Sequence, residues 1–324
     1  MRQYLSRRLL QSLGVVLFVT TLSFVLLHLA PGDPISAALQ GSRVSEAVRA
    51  QWRADFGLDR PVGEQYVRWV SNAARGNLGY SFSQRRPVRD VLLDALPRTM
   101  LLSGLSMLLS FALGICVGVL QAERPRSALD RWLGRVLLVL YSVPDFWFAL
   151  IILLVFAYRI PLFPAGGVTD PVMYDYMSAG AQLADRAKHL VLPVLTLTLI
   201  TAASVARYQR TALLAVTPSD WMRTALAKGV SWKRAIRTHA LRNALLATIT
   251  LFGLSLPGFV AGAVFVEKVF SWPGLGLITV SAIAAHDYHL VTAGVLLLSG
   301  IVVVGALLAD IAVAIADPRI RLGT

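Results

Sequence analysis

The sequence predicts an all-α polytopic membrane protein. It should have six transmembrane helices, a long external loop after the first helix and a basic cytoplasmic loop between the fourth and fifth. Three observations carry this. First, of 324 residues 56% are apolar and 15% charged, with a mean hydropathy of +0.63, whereas soluble domains carry roughly 25% charge. Second, apolar runs of the length a bilayer requires recur along the chain between polar segments. Third, Lys and Arg are unequally shared between alternate polar segments. Segments 1–8, 123–135, 207–243 and 317–324 hold 17 over 66 residues, and 31–98, 159–189 and 267–289 hold 14 over 122. The denser set is cytoplasmic, which puts both termini inside. The exceptions fall mostly in 31–98, and loops that long cross regardless of charge. A net charge of +13 would suggest nucleic acid in a soluble protein. Here orientation and anionic lipid explain it first, so the partner it implies is the lipid bilayer and no nucleic acid.

In chain order, residues 1–8 form a short cytoplasmic N-terminus bearing Arg2, Arg7 and Arg8. The first span, 9–30, is too long for a cleaved signal peptide. The external loop, 31–98, opens on the Pro31-Gly32-Asp33-Pro34 turn, and Gly57 to Pro61 separates two short amphipathic helices. A five-helix core, 99–316, follows. Gly104, Gly114 and Gly118 give the second span, 99–121, small faces for close helix contact. In the third, 136–158, Pro144 kinks the helix and places the ionisable Asp145 near mid-membrane, beside a cavity, a partner helix or the freed backbone groups. Pro193 kinks a short fourth span, 190–206. Gly253, Pro257, Gly258 and Gly262 interrupt the fifth, 244–266, and 267–289 is a short external loop. The sixth span, 290–316, leads into a cytoplasmic tail, 317–324. Broken helices are tolerated beside a cavity, so Pro144, Asp145 and Pro257 are candidates for lining a path.

The basic loop, 213–243, reads as two short helices around a hinge. Thr217 caps the first, Pro218 takes its first position, and Asp220 follows three residues after the cap. Lys228 falls in the last turn, and Gly229 stops the helix in a left-handed conformation. Ser231 caps the next helix, which runs into the fifth span. Trp221, Met222, Ala225 and Leu226 share one side, with Arg223, Thr224 and Lys228 elsewhere. On composition alone, such a loop could do no more than orient the protein.

The order of residues says more. The run Arg223-Thr-Ala-Leu-Ala-Lys-Gly229, with Leu241 twelve residues after the glycine, resembles the EAA loop of ATP-binding-cassette importer permeases. That family pattern is Glu-Ala-Ala, three residues, Gly, nine residues, then Ile-x-Leu-Pro. Arg223 replaces the Glu, Thr224 the first Ala, His239 the Ile and Arg242 the Pro. These departures match the branch that moves dipeptides, oligopeptides and nickel. The runs Pro31 to Pro34, Phe56 to Pro61, Gly76 to Ser81, Glu267 to Gly276 and Asp317 to Arg321 resemble the same branch, so the likeness covers nearly the whole chain.

The resemblance implies a permease subunit, the first of a pair, in the plasma (inner) membrane of a prokaryote. Its partners would be a second related permease, two cytoplasmic ATPase subunits and an external substrate-binding protein. The loop would dock into a groove on an ATPase. ATP and Mg would be used by those subunits, with no cofactor bound here. Peptides are the commonest cargo of the branch; nickel complexes, glutathione or glycans are alternatives.

The absent chemistry agrees. The sequence has no GxxxxGK[ST] phosphate loop, HExxH motif or nucleophile elbow. Its single Cys116 offers no disulfide, and no catalytic or metal-ligating set emerges. His286 and His289, three apart, are the only pair spaced to clasp a metal. A stand-alone intramembrane enzyme would need a dyad, for which Asp145 and Asp310 are the only acids. A channel would need a filter or charge ring, and neither is present.

Cysteines introduced at Glu64 and Asp175 should react with an impermeant thiol reagent from outside, and those at Lys233 and Arg319 only from inside. Outside labelling at Lys233 contradicts the topology.

Overall fold

The computed structural model describes residues 2–29, 46–55 and 59–316. The PGDP turn, Gly57 and the tail lie outside the described residues. Five helices are long and apolar enough to cross a membrane, and a bent pair raises the number to six, among the described residues. The only β-structure described is a two-residue ribbon, so the chain is an all-α polytopic membrane protein.

The chain divides into two compact units, 1–99 with 273–303 and 100–272 with 304–324. The first unit begins with α1 (Arg2–Leu29), whose outward Leu10, Leu13, Phe18 and Leu26 are exposed, as a lipid-facing helix requires. Next come α2 (Glu46–Asp55), α3 (Val62–Ala74) and the antiparallel ribbon of β1 (Tyr80–Ser81) and β2 (Arg86–Pro87). The next helix, α4 (Val88–Glu123), starts at Val88, ahead of the expected Thr99. Its first turns explain why: Val88, Val91, Leu92 and Ala95 form a helical stripe buried with Leu275, Ala282, Leu290 and Val291. That burial carries the helix through Pro97. The stretch 267–289 is not a simple loop. It holds an apolar helix, α11 (Leu275–Ala284), fixed at its start by the Leu275 amide donating to Thr99 Oγ1 at 2.8 Å. The last helix, α12 (Tyr288–Ala316), begins in this unit, where Asp287 Oδ2 accepts from Ser81 Oγ (2.6 Å) and from the Ser83 amide (3.0 Å).

In the second unit the expected third span is broken rather than kinked. Helix α5 (Ala128–Ser142) meets α6 (Asp145–Leu153) and its π-helical continuation to Arg159 at 104°. The residue before a proline is pushed to extended backbone; Val143 has ψ 132° and Pro144 ψ 137°, and two extended residues in succession turn the chain. The fourth span is longer than expected: α7 (Ala179–Val216) is one 38-residue helix through Pro193. After the short α8 (Asp220–Ala227) and α9 (Trp232–Ala235), α10 (Leu241–Val269) also stays continuous, through Gly253, Pro257, Gly258 and Gly262. Gly253 does not interrupt the helix but admits a neighbour, since a Cβ there would lie 2.6 Å from that of Ala309.

The same logic joins α4 to α7. A Cβ on Gly114 would meet Val205 Cβ at 2.6 Å, and one on Gly118 would meet the Ala206 carbonyl oxygen at 2.8 Å. Lipid is as apolar as a leucine side chain, so such close packing holds membrane helices together where hydrophobic burial cannot. Gly104 has nothing near it. The core of this unit gathers Leu102, Ala149, Leu192, Leu197, Val266 and Trp272.

Candidate functional site

The basic loop is built from the end of α7 onward. Thr217 does not cap α8. Its ψ of −28° still continues α7, and its Oγ1 donates to the Leu214 carbonyl at 2.8 Å. A helix cap needs extended backbone, which Ser219 supplies with ψ 150°, although its hydroxyl donates back to Val216. Asp220 therefore begins the helix, where an acid suits the positive end of the helix dipole. Its contact with Arg223, 3.6 Å between side chains 98% and 72% exposed, adds little.

The end of α8 follows the sequence reading closely. Gly229 has φ +82°, its amide donates to Leu226, and the Val230 amide donates to Ala225 at 3.2 Å. This is the double bond pattern of a Schellman stop. A Cβ at Gly229 would meet nothing within 4 Å, so only the backbone conformation demands glycine within this chain.

The four apolar residues of α8 separate into two roles. Met222 is buried with Ala122, Leu213, Ala235, Ile236, Ala240 and Ala244, and Ala225 is buried as well. Trp221 and Leu226 are exposed, beside exposed Arg223, Thr224 and Lys228. In the following run His239 and Arg242 are exposed, while Leu241 packs against the buried cluster. The loop thus turns one small apolar face inward. Outward it presents a basic surface with Trp221 and Leu226 upon it.

Contacts absent from the sequence reading hold the loop in place. Glu123, at the last position of α4, has a side chain only 3% exposed. Arg237 Nε donates to its Oε1, and Lys233 Nζ stands 3.9 Å from its Oε2. Beside it the Trp232 indole donates to the Ala122 carbonyl at 3.1 Å. On the adjacent turn Asp130 receives Arg210 in bidentate fashion, Nε and Nη2 each at 2.8 Å, plus the Arg126 amide at 2.9 Å and Gln121 Nε2 at 3.1 Å. Such a paired geometry is among the stronger charge-assisted contacts. The signal was present in the sequence: Glu123 and Asp130 are lone acids in a run of arginines directly after an apolar span.

The candidate path residues are placed less informatively. Pro144 and Asp145 sit at the α5–α6 break, with Asp145 half-buried and no side chain among the described residues paired with its carboxylate. Pro257 lies inside continuous α10. No group of three His, Cys, Asp or Glu able to hold a metal occurs among the described residues.

Residues 114–322 match the family described as the binding-protein-dependent transport system inner membrane component, and 1–103 match the N-terminal part of such components. The oligopeptide transport system permease protein AppB of Bacillus subtilis is 39% identical over 322 residues, 99% of this chain and 100% of that one. The di/tripeptide permease DppB of Pseudomonas aeruginosa is 37% identical over 334 residues, and the dipeptide permease DppB of Escherichia coli K12 34% over 336, each covering 99% of both chains.

Arg210→Ala strands the buried Asp130 carboxylate, a loss on the order of 3 kcal/mol. It should lower the melting temperature of the detergent-solubilised protein by several degrees. Adding Asp130→Asn should recover part of that loss, because no buried charge is then left alone. An unchanged melting temperature in the single variant contradicts this role.

Proposed function

Because the chain belongs to the family of binding-protein-dependent transport system inner membrane components, we propose that it is a permease subunit of an ATP-driven peptide importer. The observation that supports peptides as cargo is the full-length likeness to oligopeptide and dipeptide permeases at 34–39% identity. In this reading the chain pairs with a second, related permease, and the cleft between them forms the path, with Pro144, Asp145 and Pro257 as its candidate lining. Two cytoplasmic ATPase subunits bind ATP and Mg, and this chain binds no cofactor of its own. An external binding protein delivers cargo. Both termini lie in the cytoplasm.

The outward surface of α8 is the proposed ATPase contact, formed by Asp220, Arg223, Thr224, Lys228 and Gly229, with His239 and Arg242 beyond it. Thr217, Ala225 and Leu241 act from behind by fixing its backbone and buried side. Trp221 and Leu226 favour this over a purely orienting loop, since exposed apolar groups on a basic surface suit a protein groove better than water. ATP-driven closure of the ATPases would displace α8, and the helices anchored to it would favour the outward-facing arrangement, a population shift set by differential binding.

Gly229 distinguishes the alternatives. A valine at φ +82° costs about 1 kcal/mol or more, misplacing the hinge, whereas asparagine tolerates that conformation. In the reconstituted importer Gly229→Val should abolish most substrate uptake and weaken retention of the ATPase subunits, while reaching the membrane normally. Gly229→Asn should keep the subunits better than Gly229→Val. Full uptake and normal retention in Gly229→Val would overturn the coupling role.

A further inference from the structure

Within the first unit, a cavity of about 270 Å³ lies between the last turns of α1, the α3 helix with the turn that follows it, and the first turn of α12. Its chemistry is one-sided. Among the described residues, the lining includes Arg68, His28, Gln65, Asn72 and Asn77 over an aromatic wall of Phe24, Trp69 and Tyr288, and contains no acid. Two guanidiniums share one carboxylate beside the cavity: Arg60 at 2.5 Å and Arg68 at 3.1 Å both reach Glu64 Oε1. That trio carries one net positive charge. Asp287 is turned aside, accepting from Ser81 and Ser83.

His28 is fixed in the wall by its neighbours. Its Nδ1 lies 2.8 Å from the Phe24 carbonyl and its Nε2 3.2 Å from Gln65 Oε1. The Gln65 amide is oriented by Nε2 donating to the Arg60 carbonyl at 2.8 Å, so its oxygen is the atom facing the ring. Both ring nitrogens thus lie within hydrogen-bonding distance of an oxygen of the wall. Phe24 stacks on the ring at 4.1 Å and Tyr288 tilts against it at 5.0 Å, which extends the aromatic wall. Gly79 closes the turn over the neighbouring His289, whose Cδ2 would lie 2.6 Å from a Cβ at that position.

We propose that this cavity is a binding site for a small solute carrying a carboxylate or phosphate on an apolar or aromatic body. The oxyanion would take hydrogen bonds from Arg68 and the amide side chains, and its body would lie on Trp69 and Tyr288. The volume falls just below the range of drug-sized pockets, which suits a compact ligand. Because the walls are helix ends, the group could come from a free solute or from the headgroup of a membrane lipid. The site goes beyond the import role and does not depend on which cargo crosses.

The test uses the complete importer in nanodiscs. In phosphatidylcholine discs, calorimetry with phenylacetate, which is no peptide, should show saturable binding, at least tenfold weaker for phenylacetamide and for the Arg68→Gln variant. Arg68→Lys should retain more affinity than Arg68→Gln. If lipid is the source, phosphatidylglycerol should co-purify with the wild-type importer and be lost in Arg68→Gln, and discs containing it should suppress the phenylacetate signal. Melting temperatures of the two Arg68 variants should match the wild type. Equal binding of acid and amide, or equal binding by wild type and Arg68→Gln, together with no selective phosphatidylglycerol retention, would overturn the site.

Discussion

Glu123 occupies the worst end of its helix. A carboxylate at a helix C-terminus meets the negative end of the helix dipole, and this one is also withdrawn from water, with a side chain 3% exposed. Its charge is tolerable only because Arg237 and Lys233 come to it from beyond the hinge. Both cations are themselves 57% exposed, so the attraction they gain is modest by the standard of surface pairs. The asymmetry matters more: with the cations removed, a buried carboxylate is left alone, and that is costly. The basic loop is thereby bound to the end of α4, and the Trp232 indole on the Ala122 carbonyl reinforces the same point. The surface of α8 that the proposed function assigns to an ATPase rests on this attachment together with buried Met222 and Ala225.

From α4 the constraint passes to α7 by close backbone approach. Gly114 and Gly118 allow Val205 and Ala206 to lie where side chains would otherwise stand. Arg210, farther along α7, then holds Asp130 at the start of α5. Close helix contact and charge pairing therefore alternate along one continuous set of helices, from the loop to the 104° break at Pro144. In the proposed mechanism a movement of α8 would be carried along that set, whose small residues leave it little room to deform internally.

Much of this was legible in the sequence. Apolar run length and charge asymmetry gave the spans, and Lys228-Gly229 announced the helix stop that Val230 and Ala225 complete. Helix ends were less legible, because amphipathic turns such as Val88 to Ala95 are polar enough to read as loop while burying a stripe. Two prolines were misread, in opposite directions. Pro144 breaks a helix completely because Val143 joins it in extended backbone, whereas Pro257 sits inside a continuous helix. Thr217 looked like a cap by composition, yet its hydroxyl was already committed to the end of α7. The partners of Glu123 and Asp130 lie 114 and 80 residues away in sequence, beyond the reach of any local pattern.

The central claim is that the ion cluster at Glu123 couples the loop to the membrane helices. It is tested most directly by exchanging the charges and measuring substrate-stimulated ATP hydrolysis in the reconstituted importer. Arg237→Glu places a second acid against a buried one and should cut the stimulation at least tenfold. Combining it with Glu123→Arg should restore a substantial part, because the pair is re-formed with opposite polarity. Normal stimulation in Arg237→Glu alone would contradict the account.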